Sequence, residues 1–505
     1  MASTTTVTVV MNEEMGTISP RLHGHFAEHL GRCVYDGLWV GLDSPVPNEG
    51  GWRRDAIAAL KAMTVPMLRW PGGCFADSYH WRDGIGPTSR RPRTLAESCG
   101  ERVVETNAVG THEFLDLCRL IGAEPYLAGN VGSGTVQELA DWVQYCNGAA
   151  DTTLVRERVA NGHVDPMKVR LWGIGNENWG CGGNYDAEIY AHDFRRYETF
   201  VRQTDPFVET VACGFDPKWN RVLIETLKAN NKLGGMNHLS LHRYWNAGPA
   251  VGFSEEEYYH LHRGGELVEG DIIAAKQLIH EATGGRHRVG IALDEWGVWH
   301  PDANVTSQFE AVSTQRDAVA TTGVFDTLHR HAADVSMANI AQIVNVLHAP
   351  LQTRGGALWM TPTGHVFALY APHQGGQSLR LDFQNVPIRP LSALTHLNWA
   401  TPTEPLRDLP LVTASASRNL VGGLVVSLTN RHHADPLAVI LRFAGGEAPQ
   451  GMGRMGTLAA DSLDAANNAE DPHRVAVKWR EIEIRSSSGV TLTLPPASVQ
   501  TLHLG

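Results

Sequence analysis

The sequence lacks the features that mark secretion, membrane insertion and nucleic-acid binding. Its first residues show neither the basic region nor the apolar core of a signal peptide. No apolar run approaches the roughly twenty residues that span a bilayer. No basic tract accompanies the formal net charge of −12, which argues against nucleic acids and anionic membranes as partners. We therefore expect a cytoplasmic protein with neither kind of partner.

Cysteine is scarce and poorly distributed for a structural role. The seven cysteines include no CxxC pair, and none follows Cys213. This pattern argues against a disulfide framework or a zinc site, so reduced thiols are expected. His23, His25, Glu28 and His29 form a cluster that resembles a metal site, but successive residues of a strand point to opposite faces, so Glu28 and His29 could not easily share one ion. We therefore expect no metal and no cofactor.

The periodicity of the first three quarters of the chain predicts a barrel. Strand candidates are 22–29, 66–70, 123–130, 169–175, 209–214, 238–244, 289–295 and 340–347. Helical patterns between them are 111–121, 136–145, 188–202, 222–229, 271–282 and 316–331. Eight strands alternating with helices predict a (β/α)8 TIM barrel of the α/β class. An open doubly wound sheet is the alternative, but it normally brings GxGxxG after its first strand, and HGHFAEHLG does not fit.

The pattern of apolar and turn-forming residues changes after about residue 388. Short β-prone segments at 411–416, 422–428, 437–443, 474–477, 481–484, 489–494 and 498–504 are separated by turn-forming residues. They predict a C-terminal β-sandwich, and the strand-like run 4–10 could pair into it. The expected domains are an N-terminal strand at 1–18, a catalytic barrel at 19–387 and a sandwich at 388–505. We expect 446–472, which holds GMGRMG, to be a mobile surface loop.

Two glutamates end predicted barrel strands four and seven. Glu177 follows Asn176, and Glu295 precedes a tryptophan. Catalytic groups of such barrels lie at the carboxyl ends of the strands. A pair of carboxyl groups suits glycoside cleavage, since one protonates the leaving oxygen while the other attacks C1 or activates water. An isolated glutamate is more often a surface or salt-bridged residue, but two at these positions favour a catalytic site. Asn176 could bond the sugar 2-hydroxyl.

Several longer motifs carry a family resemblance. They include GNEN at 175–178, LDEW at 293–296, FAEHLGRCVYDGLW at 26–39, LRWPGGCFADSYHWRDGIGP at 68–87 and SLHRYW at 240–245. The stretch 23–372 resembles the α-L-arabinofuranosidases of glycoside hydrolase family 51. The resemblance implies a retaining, exo-acting enzyme that releases terminal arabinofuranosyl residues from oligosaccharides. It also implies a jelly-roll partner domain that recruits the N-terminal strand, and a homo-oligomer, often a hexamer.

The resemblance also implies roles for individual residues. Glu177 would be the general acid/base and Glu295 the nucleophile. The residues expected to bind the substrate are Glu28, Arg69, Cys74, Asn176, Trp179, His242, Tyr244 and Trp299. Some have structural alternatives: Arg69 as a barrel ion pair, Cys74 as a small buried hydrophobe, and Trp179 and Trp299 as loop packing.

Two departures from the family pattern bear on the sugar. Many members carry Asn at the position of Cys74, and many carry Gln shortly after the tryptophan equivalent to Trp359. Here Met-Thr-Pro follows Trp359, and Gln352 lies at a different offset. The reaction type is therefore better supported than the substrate. The alternatives are the same mechanism on β-xylosides, galactofuranosides or glucans, a non-catalytic carbohydrate-binding barrel, and a metal-dependent hydrolase.

Overall fold

The computed structural model describes residues 4–392, 408–484 and 489–505. Eight parallel strands form a closed barrel. In chain order, barrel strands 1 to 8 are Gly24–Phe26, Met67–Trp70, Glu124–Gly129, Leu171–Ile174, Glu209–Ala212, His238–Trp245, Gly290–Val298 and Val335–Ala341. The barrel closes where strand 8 pairs with strand 1, with Ile340 opposite His25. The predicted TIM barrel is confirmed.

Helices cover the barrel. They are Arg54–Ala62, Thr111–Ile121, Val136–Asn147, Thr153–Ala160, Ala187–Thr204, Pro217–Ala229, Glu255–Leu261, Gly264–Thr283, Gln315–Arg330 and Pro362–Tyr370. Thr111–Ile121 buries Phe114, Leu117, Cys118 and Ile121, the spacing of one apolar helix face. It ends at Gly122, whose φ of 79° suits a left-handed helix cap. The buried face and the end of this helix therefore follow from its local sequence.

The eighth strand differs from its predicted position at 340–347. It spans Val335–Ala341, and the apolar run that follows is a buried loop in which Asn345 and Leu347 have φ of 62° and 55°. The strand contains Asn339, whose side chain donates to His25 O (2.9 Å). The apolar pattern did not separate the two segments, because both are largely buried and each contains two polar residues. As a result, Gln342 lies directly after the strand, where catalytic barrels place functional groups.

The C-terminal domain is built on one nine-stranded sheet. Its strands are Thr5–Thr17, Gln377–Gln384, Val412–Arg418, Leu424–Asn430, Leu437–Ala444, Gly451–Leu458, Lys478–Ile484, Val490–Leu494 and Ser498–Leu504. Thr5–Thr17 pairs antiparallel with Gln377–Gln384 and parallel with Leu437–Ala444. Val9, Val426 and Leu502 belong to its own core. A separate C-terminal sheet domain, as predicted, is confirmed.

Two details of this domain differ from the sequence expectation. Gln377–Gln384 pairs within the sheet, although the expected barrel continued to 387. Gly451–Leu458, inside the expected loop 446–472, is a strand paired on both sides, whereas 474–477 forms no strand. Met455 and Leu458 are buried. The glycines hide this strand from a pattern search because they provide no side chains to alternate.

Helix Gln315–Arg330 lies between the barrel and the sheet domain. Nearly all of its residues are buried. His329 at its end bonds His23 Nε2 through Nε2 (3.1 Å) and Ser415 Oγ through Nδ1 (2.8 Å). The two domains therefore share polar as well as apolar contacts. Across residues 4–392, 408–484 and 489–505, no helix is long and apolar enough to cross a membrane.

Candidate active site

A pocket of about 790 Å³ opens at the carboxyl ends of the barrel strands. Eight of the ten residues expected from the sequence line it: Glu28, Cys74, Glu177, Trp179, His242, Tyr244, Glu295 and Trp299. The other two, Arg69 and Asn176, are buried beside Glu295 and bond each other through Arg69 Nη2 and Asn176 Oδ1 (2.6 Å). The structure thus brings all ten together.

Glu295 is held rigidly in the pocket floor. Its Oε1 accepts a hydrogen bond from Arg69 Nη1 (2.6 Å), and its Oε2 accepts one from Tyr244 OH (2.8 Å). The loop after strand 2 passes so close that a Cβ on Gly73 would lie 2.8 Å from Oε1. Both oxygens are therefore engaged by donors that suit an ionised carboxylate.

Glu177 follows strand 4 in an unusual backbone conformation. Its φ is 41°, and Gly175 before it has φ of 84°; a Cβ on Gly175 would lie 2.0 Å from Asn178 Oδ1. Non-glycine residues in this region are uncommon and cluster at functional sites. Asp77 holds the turn by accepting the backbone N–H of Asn176 (2.8 Å). The Glu177 side chain is 18% exposed and faces the pocket.

His242 lies between the two glutamates. Its Nδ1 donates to Glu177 Oε1 (2.7 Å) and lies 3.5 Å from Glu295 Oε2. One oxygen of each glutamate and one His242 nitrogen all lie within 4.8 Å of one another. Burial lowers the pKa of His242, but the charges of Glu295 and Glu177 and a contact with Asp294 outweigh it and raise the pKa to about 10. His242 is therefore a cation whose side chain is 9% exposed.

Arg69 is the second cation of the site. It lies 3.7 Å from Asp294 Oδ2, and Asp294 also accepts from Tyr126 OH (2.7 Å) and Ser240 Oγ (2.5 Å). Burial raises the pKa of Asp294, but Arg69 and His242 outweigh it and hold that pKa below its usual range. Arg69 and His242 offset the charges of Asp294 and Glu295. Glu177 accepts from the same His242 and is the more exposed of the two glutamates, at 18% against 6% for Glu295.

Glu28 forms the opposite wall. Its Oε1 accepts from Phe75 N (3.1 Å) and Ser98 Oγ (2.9 Å), and its Oε2 accepts from Gln342 Nε2 (2.9 Å). Burial, and next the charge of Glu295, raise the pKa of Glu28 to about 7. Its carboxyl group therefore changes charge near neutral pH.

Aromatic rings form the rim of the pocket. Trp179 stacks on Phe215 with ring centroids 3.9 Å apart and planes 16° apart. Trp299 meets Tyr244 edge to face at 5.2 Å, and its Nε1 donates to Ala303 O (2.8 Å). These rings are fixed apolar faces of the kind that sugar rings pack against.

The expectation that the cysteines are reduced thiols is wrong for one pair. Cys74 and Cys181 form a disulfide that joins the loops after strands 2 and 4. They are 107 positions apart in sequence, and their pairing depends on barrel closure, which spacing rules do not register. Cys74 is thus a bonded wall residue of the pocket, neither a free thiol nor a buried hydrophobe.

The structure adds residues that the sequence reasoning missed. Gln342, Phe215 and Cys99 line the pocket, and Asp294 anchors Arg69 from behind. Ser98 and Cys99 come from an unexpected hairpin, Thr94–Ser98 and Glu101–Glu105, inserted after strand 2. Asp294 lay within the LDEW motif and Gln342 at the true end of strand 8, so these two had a signal. Phe215 directly follows the predicted strand 209–214 and had the same kind of signal, whereas Ser98 and Cys99 had none.

Two glutamines bear on the altered motif after Trp359, and they take different places. Gln352 lies outside the pocket, where its Oε1 accepts from Trp359 Nε1 (3.2 Å) and its Nε2 donates to Ala311 O (2.7 Å). Gln342, which directly follows strand 8, places a glutamine side chain in the pocket instead. The pocket therefore contains a glutamine amide despite the altered motif.

The histidine-rich cluster near the N-terminus is divided among separate partners. His23 bonds His329, His25 Nδ1 contacts His23 O (3.1 Å), and His29 Nδ1 contacts Glu105 Oε2 (3.0 Å). Within the described part of the chain, the groups with metal-ligand spacing are Cys74, Glu177 and Cys181, and Glu177, His242 and Glu295. Both groups contain Glu177.

A closed barrel with two neighbouring carboxylates at the ends of strands 4 and 7, rimmed by aromatic rings, defines a glycoside hydrolase. Comparison with known proteins agrees. The model of the alpha-L-arabinofuranosidase 1 domain matches residues 59–250, and that of the alpha-L-arabinofuranosidase C-terminal domain matches 294–498. An intracellular exo-alpha-L-arabinofuranosidase of Bacteroides ovatus is 37% identical, over 99% of this chain and 95% of that protein.

Solved structures give the same result. The arabinofuranosidase of family 51 from Xanthomonas axonopodis pv. citri superposes with a TM-score of 0.89 at 33% identity, covering 99% of this chain and 100% of that one. The Thermotoga maritima alpha-L-arabinofuranosidase, solved as an arabinose complex, gives a TM-score of 0.88 at 32% identity, with 99% of each chain covered. The chain belongs to the α-L-arabinofuranosidases of glycoside hydrolase family 51.

Proposed function

We propose that this chain releases terminal non-reducing α-L-arabinofuranosyl residues from arabinose-containing oligosaccharides by double displacement. The proximity of Glu177 and Glu295 carries the proposal, since an oxygen of each lies within 4.8 Å of the other. Retaining enzymes hold these groups about 5–5.5 Å apart, whereas inverting enzymes leave roughly 6.5–9.5 Å for a water. The Bacteroides ovatus relative, named an exo-acting enzyme, supports the substrate.

In this proposal Glu295 is the nucleophile. Arg69 and Tyr244 fix both of its oxygens, and Tyr244 can release its bond as Oε2 attacks C1. Glu177 is the acid/base. Its Oε1 accepts from His242 (2.7 Å), and the proton that Glu177 carries on its other oxygen, Oε2, goes to the leaving oxygen in the first step. The same carboxylate then takes a proton from water in the second step, so that two inversions retain the anomeric configuration.

The pocket wall supplies groups for the sugar hydroxyls. Asn176 Nδ2 is buried and has no hydrogen-bond partner in the described chain, and it lies beside the nucleophile through Arg69. We assign it to the sugar 2-hydroxyl, where a bond strengthens as charge develops. Glu28, Cys74 and Tyr244 line the same pocket, and we assign them, with Arg69 behind, to the terminal furanose.

The rim is assigned to the leaving group. Trp179, stacked on Phe215, and Trp299 on the opposite side present apolar faces at the pocket mouth. Sugars stack on such faces. His242 completes the site as the charged group between the two glutamates.

Three further assignments belong to this proposal. The intracellular location named for the Bacteroides ovatus relative supports a cytoplasmic enzyme that acts on short oligosaccharides. The family resemblance supports a homo-oligomer, a hexamer in particular, which sedimentation would test. We place the domain boundary near residue 376, because Gln377–Gln384 pairs within the sandwich sheet and Thr5–Thr17 pairs beside it.

Chemical rescue tests the two roles separately. In Glu177→Ala, an aryl arabinofuranoside with a good leaving group still forms the glycosyl-enzyme, so azide should accelerate turnover and give a product of retained configuration. In Glu295→Ala, azide attacks C1 directly, so the product should be inverted. NMR of the two glycosyl azides distinguishes the outcomes. The same anomer from both variants, or the reverse assignment, would refute the roles.

A substrate panel tests the sugar. Aryl α-L-arabinofuranoside should be cleaved far faster than aryl β-xyloside, galactofuranoside or glucoside. A preferred xyloside would leave the mechanism standing and change the substrate. Undiminished activity after dialysis against EDTA would exclude a metal-dependent hydrolase.

A further inference from the structure

The Cys74–Cys181 bridge lies at the pocket mouth beside the proposed acid/base. Cys181 is exposed and Cys74 is half-buried, so a reductant in solution can reach the bond. Cys181 Sγ lies 3.7 Å from Glu177 Oε2. The bridge therefore joins two active-site loops at the carboxyl group on which the reaction depends.

We propose that reduction of this bridge creates a binding site for a thiophilic divalent cation such as Zn²⁺, formed by Cys74, Cys181 and Glu177, and that the bound cation inhibits the enzyme. The effect on activity rests on the proposed acid/base role of Glu177, because a carboxylate that ligates a cation cannot transfer a proton. The binding itself does not depend on that role.

The geometry of the three groups suits such an ion. Tetrahedral zinc with Zn–S of about 2.3 Å and Zn–O of about 2.0–2.2 Å sets its donor atoms roughly 3.5–3.8 Å apart. Cys181 Sγ and Glu177 Oε2 already have a 3.7 Å separation, and all three side chains offer donor atoms within 4.8 Å of one another. The Cα atoms of the cysteines are 5.5 Å apart, so side-chain rotation alone can separate the sulfurs. Three protein donors leave one position of a tetrahedral ion for water.

The chemistry balances with a dithiol as reductant. A thiolate of the dithiol attacks one sulfur of the bridge, and its second thiol displaces the mixed disulfide. The dithiol ends as a disulfide, and Cys74 and Cys181 become thiols. Cation binding then releases the two thiol protons, since thiolates are the ligands. A reducing cytoplasm supplies dithiols of this class.

The remaining cysteines do not offer an equivalent site. Cys33, Cys118, Cys146 and Cys213 are buried, and burial raises the pKa of the Cys33 thiol to about 12. Such thiols resist ionisation and metal binding. Cys99 lines the pocket, but it belongs to none of the groups with metal-ligand spacing in the described residues. It is therefore a matched control.

Cadmium, a thiophilic ion with a thiolate charge-transfer band in the ultraviolet, is the probe. The full chain is reduced with dithiothreitol, desalted without oxygen and titrated with Cd²⁺, in parallel with the oxidised chain. We expect about one Cd²⁺ per chain with the band in the reduced form and no band in the oxidised form. Hydrolysis of an aryl arabinofuranoside should fall in proportion to occupancy and recover with a chelator.

Three variants locate the site. Cys181→Ser should remove the band, and Cys99→Ser should keep it. Glu177→Gln should keep it with affinity weakened by at least about 10-fold, because loss of a direct ligand should cost no less than loss of a group that only supports a ligand. A band that survives Cys181→Ser, or equal bands in oxidised and reduced chains, would overturn the site. No band in a chain that remains an active arabinofuranosidase would overturn the site and leave the proposed function intact. A band without inhibition would overturn the inhibition and count against Glu177 as acid/base.

Discussion

At the carboxyl end of the barrel, His242 lies among Glu177, Asp294 and Glu295, whereas His329 lies between His23 and Ser415 at the junction with the sheet domain. His23 and His329 are buried, and the side chain of His242 is 9% exposed. The pKa of His242 is raised to about 10, because three carboxyl groups outweigh the cost of burial. Burial lowers the pKa of His329 well below its ordinary value, and neighbouring histidines lower it further. The same side chain is thus a cation at one place and neutral at the other.

This difference shows that burial alone does not determine the charge of a group. At the junction, hydroxyl partners such as Ser417 and Ser427, which bond both nitrogens of His373 (2.7 and 3.0 Å), satisfy a neutral ring. In the pocket, Arg69 and His242 stabilise anions that would otherwise be costly to bury. The junction needs specific contacts between neutral groups of the two domains. The pocket needs cations that balance its carboxylates while one carboxyl group gives and takes a proton.

The largest expected effect comes from removing the charge of His242. His242→Asn keeps an amide donor near Glu177 but leaves the carboxylates with Arg69 as their single buried cation. We expect kcat/KM to fall about 10²–10³-fold, the loss typical of one catalytic donor. Both limbs of the pH–rate profile should move to higher pH, because ionised carboxylates lose a positive neighbour.

His112→Asn is the matched control. His112 is buried, and its Nε2 contacts Tyr145 OH (2.8 Å) outside the pocket. Its loss should lower stability without moving the profile. An unshifted profile in His242→Asn, with kcat/KM near that of the parent enzyme, would contradict the charged role of His242.

The second prediction concerns the neutral histidines. Burial lowers the pKa of His373 from 6.5 to about 3. The unfolded chain therefore binds one more proton than the folded chain between these values. The contribution of His373 to stability is complete above about pH 6.5 and is lost as pH falls toward 3, by about 1.4 kcal/mol per pH unit.

Comparison with His373→Gln isolates this contribution. Glu28, Asp77 and Asp326 have raised pKa values and act in the opposite sense as pH rises, so the parent curve alone is not diagnostic. Urea unfolding of both proteins at pH 7 and about pH 5.5 should show the parent's advantage shrinking by about 1.4 kcal/mol. A constant difference would show that His373 is not held neutral.

The smallest expected effects come from removing single hydrogen bonds, one in the pocket and one at the junction with the sheet domain. Gln342→Ala removes a donor to Glu28, and Ser415→Ala removes the partner of His329. Each bond contributes about 0.5–1.5 kcal/mol. The loss at Gln342 should raise KM roughly 3–10-fold, and the loss at Ser415 should lower unfolding stability with unchanged kinetics. Gln352→Ala, outside the pocket, should leave KM unchanged. Equal KM values in Gln342→Ala and the parent would show that Gln342 does not contribute to substrate binding.

Sequence reasoning succeeded where the pattern was local. Helix Thr111–Ile121 and strand Ser498–Leu504 have the bounds that periodicity predicts. The strands that present Glu177 and Glu295 were found because apolar runs end at polar, tryptophan-rich loops. Sequence reasoning failed where the position of a strand depends on the strands with which it pairs. Strand 8 was placed on the wrong apolar segment, and strand Gly451–Leu458, rich in glycine, was taken for a loop.

The sequence by itself determined the class of fold, the two glutamates and the motifs of the family, because each depends on residues that are close along the chain. Only the tertiary structure decided the Cys74–Cys181 bridge, the place of Gln342 beside Glu28, and the charge of His242. Those depend on which strand ends meet when the barrel closes. Disulfide bonds, hydrogen bonds and the contacts that shift a pKa all act over only a few ångströms. They therefore depend on which residues are neighbours in space, not on which are neighbours in sequence.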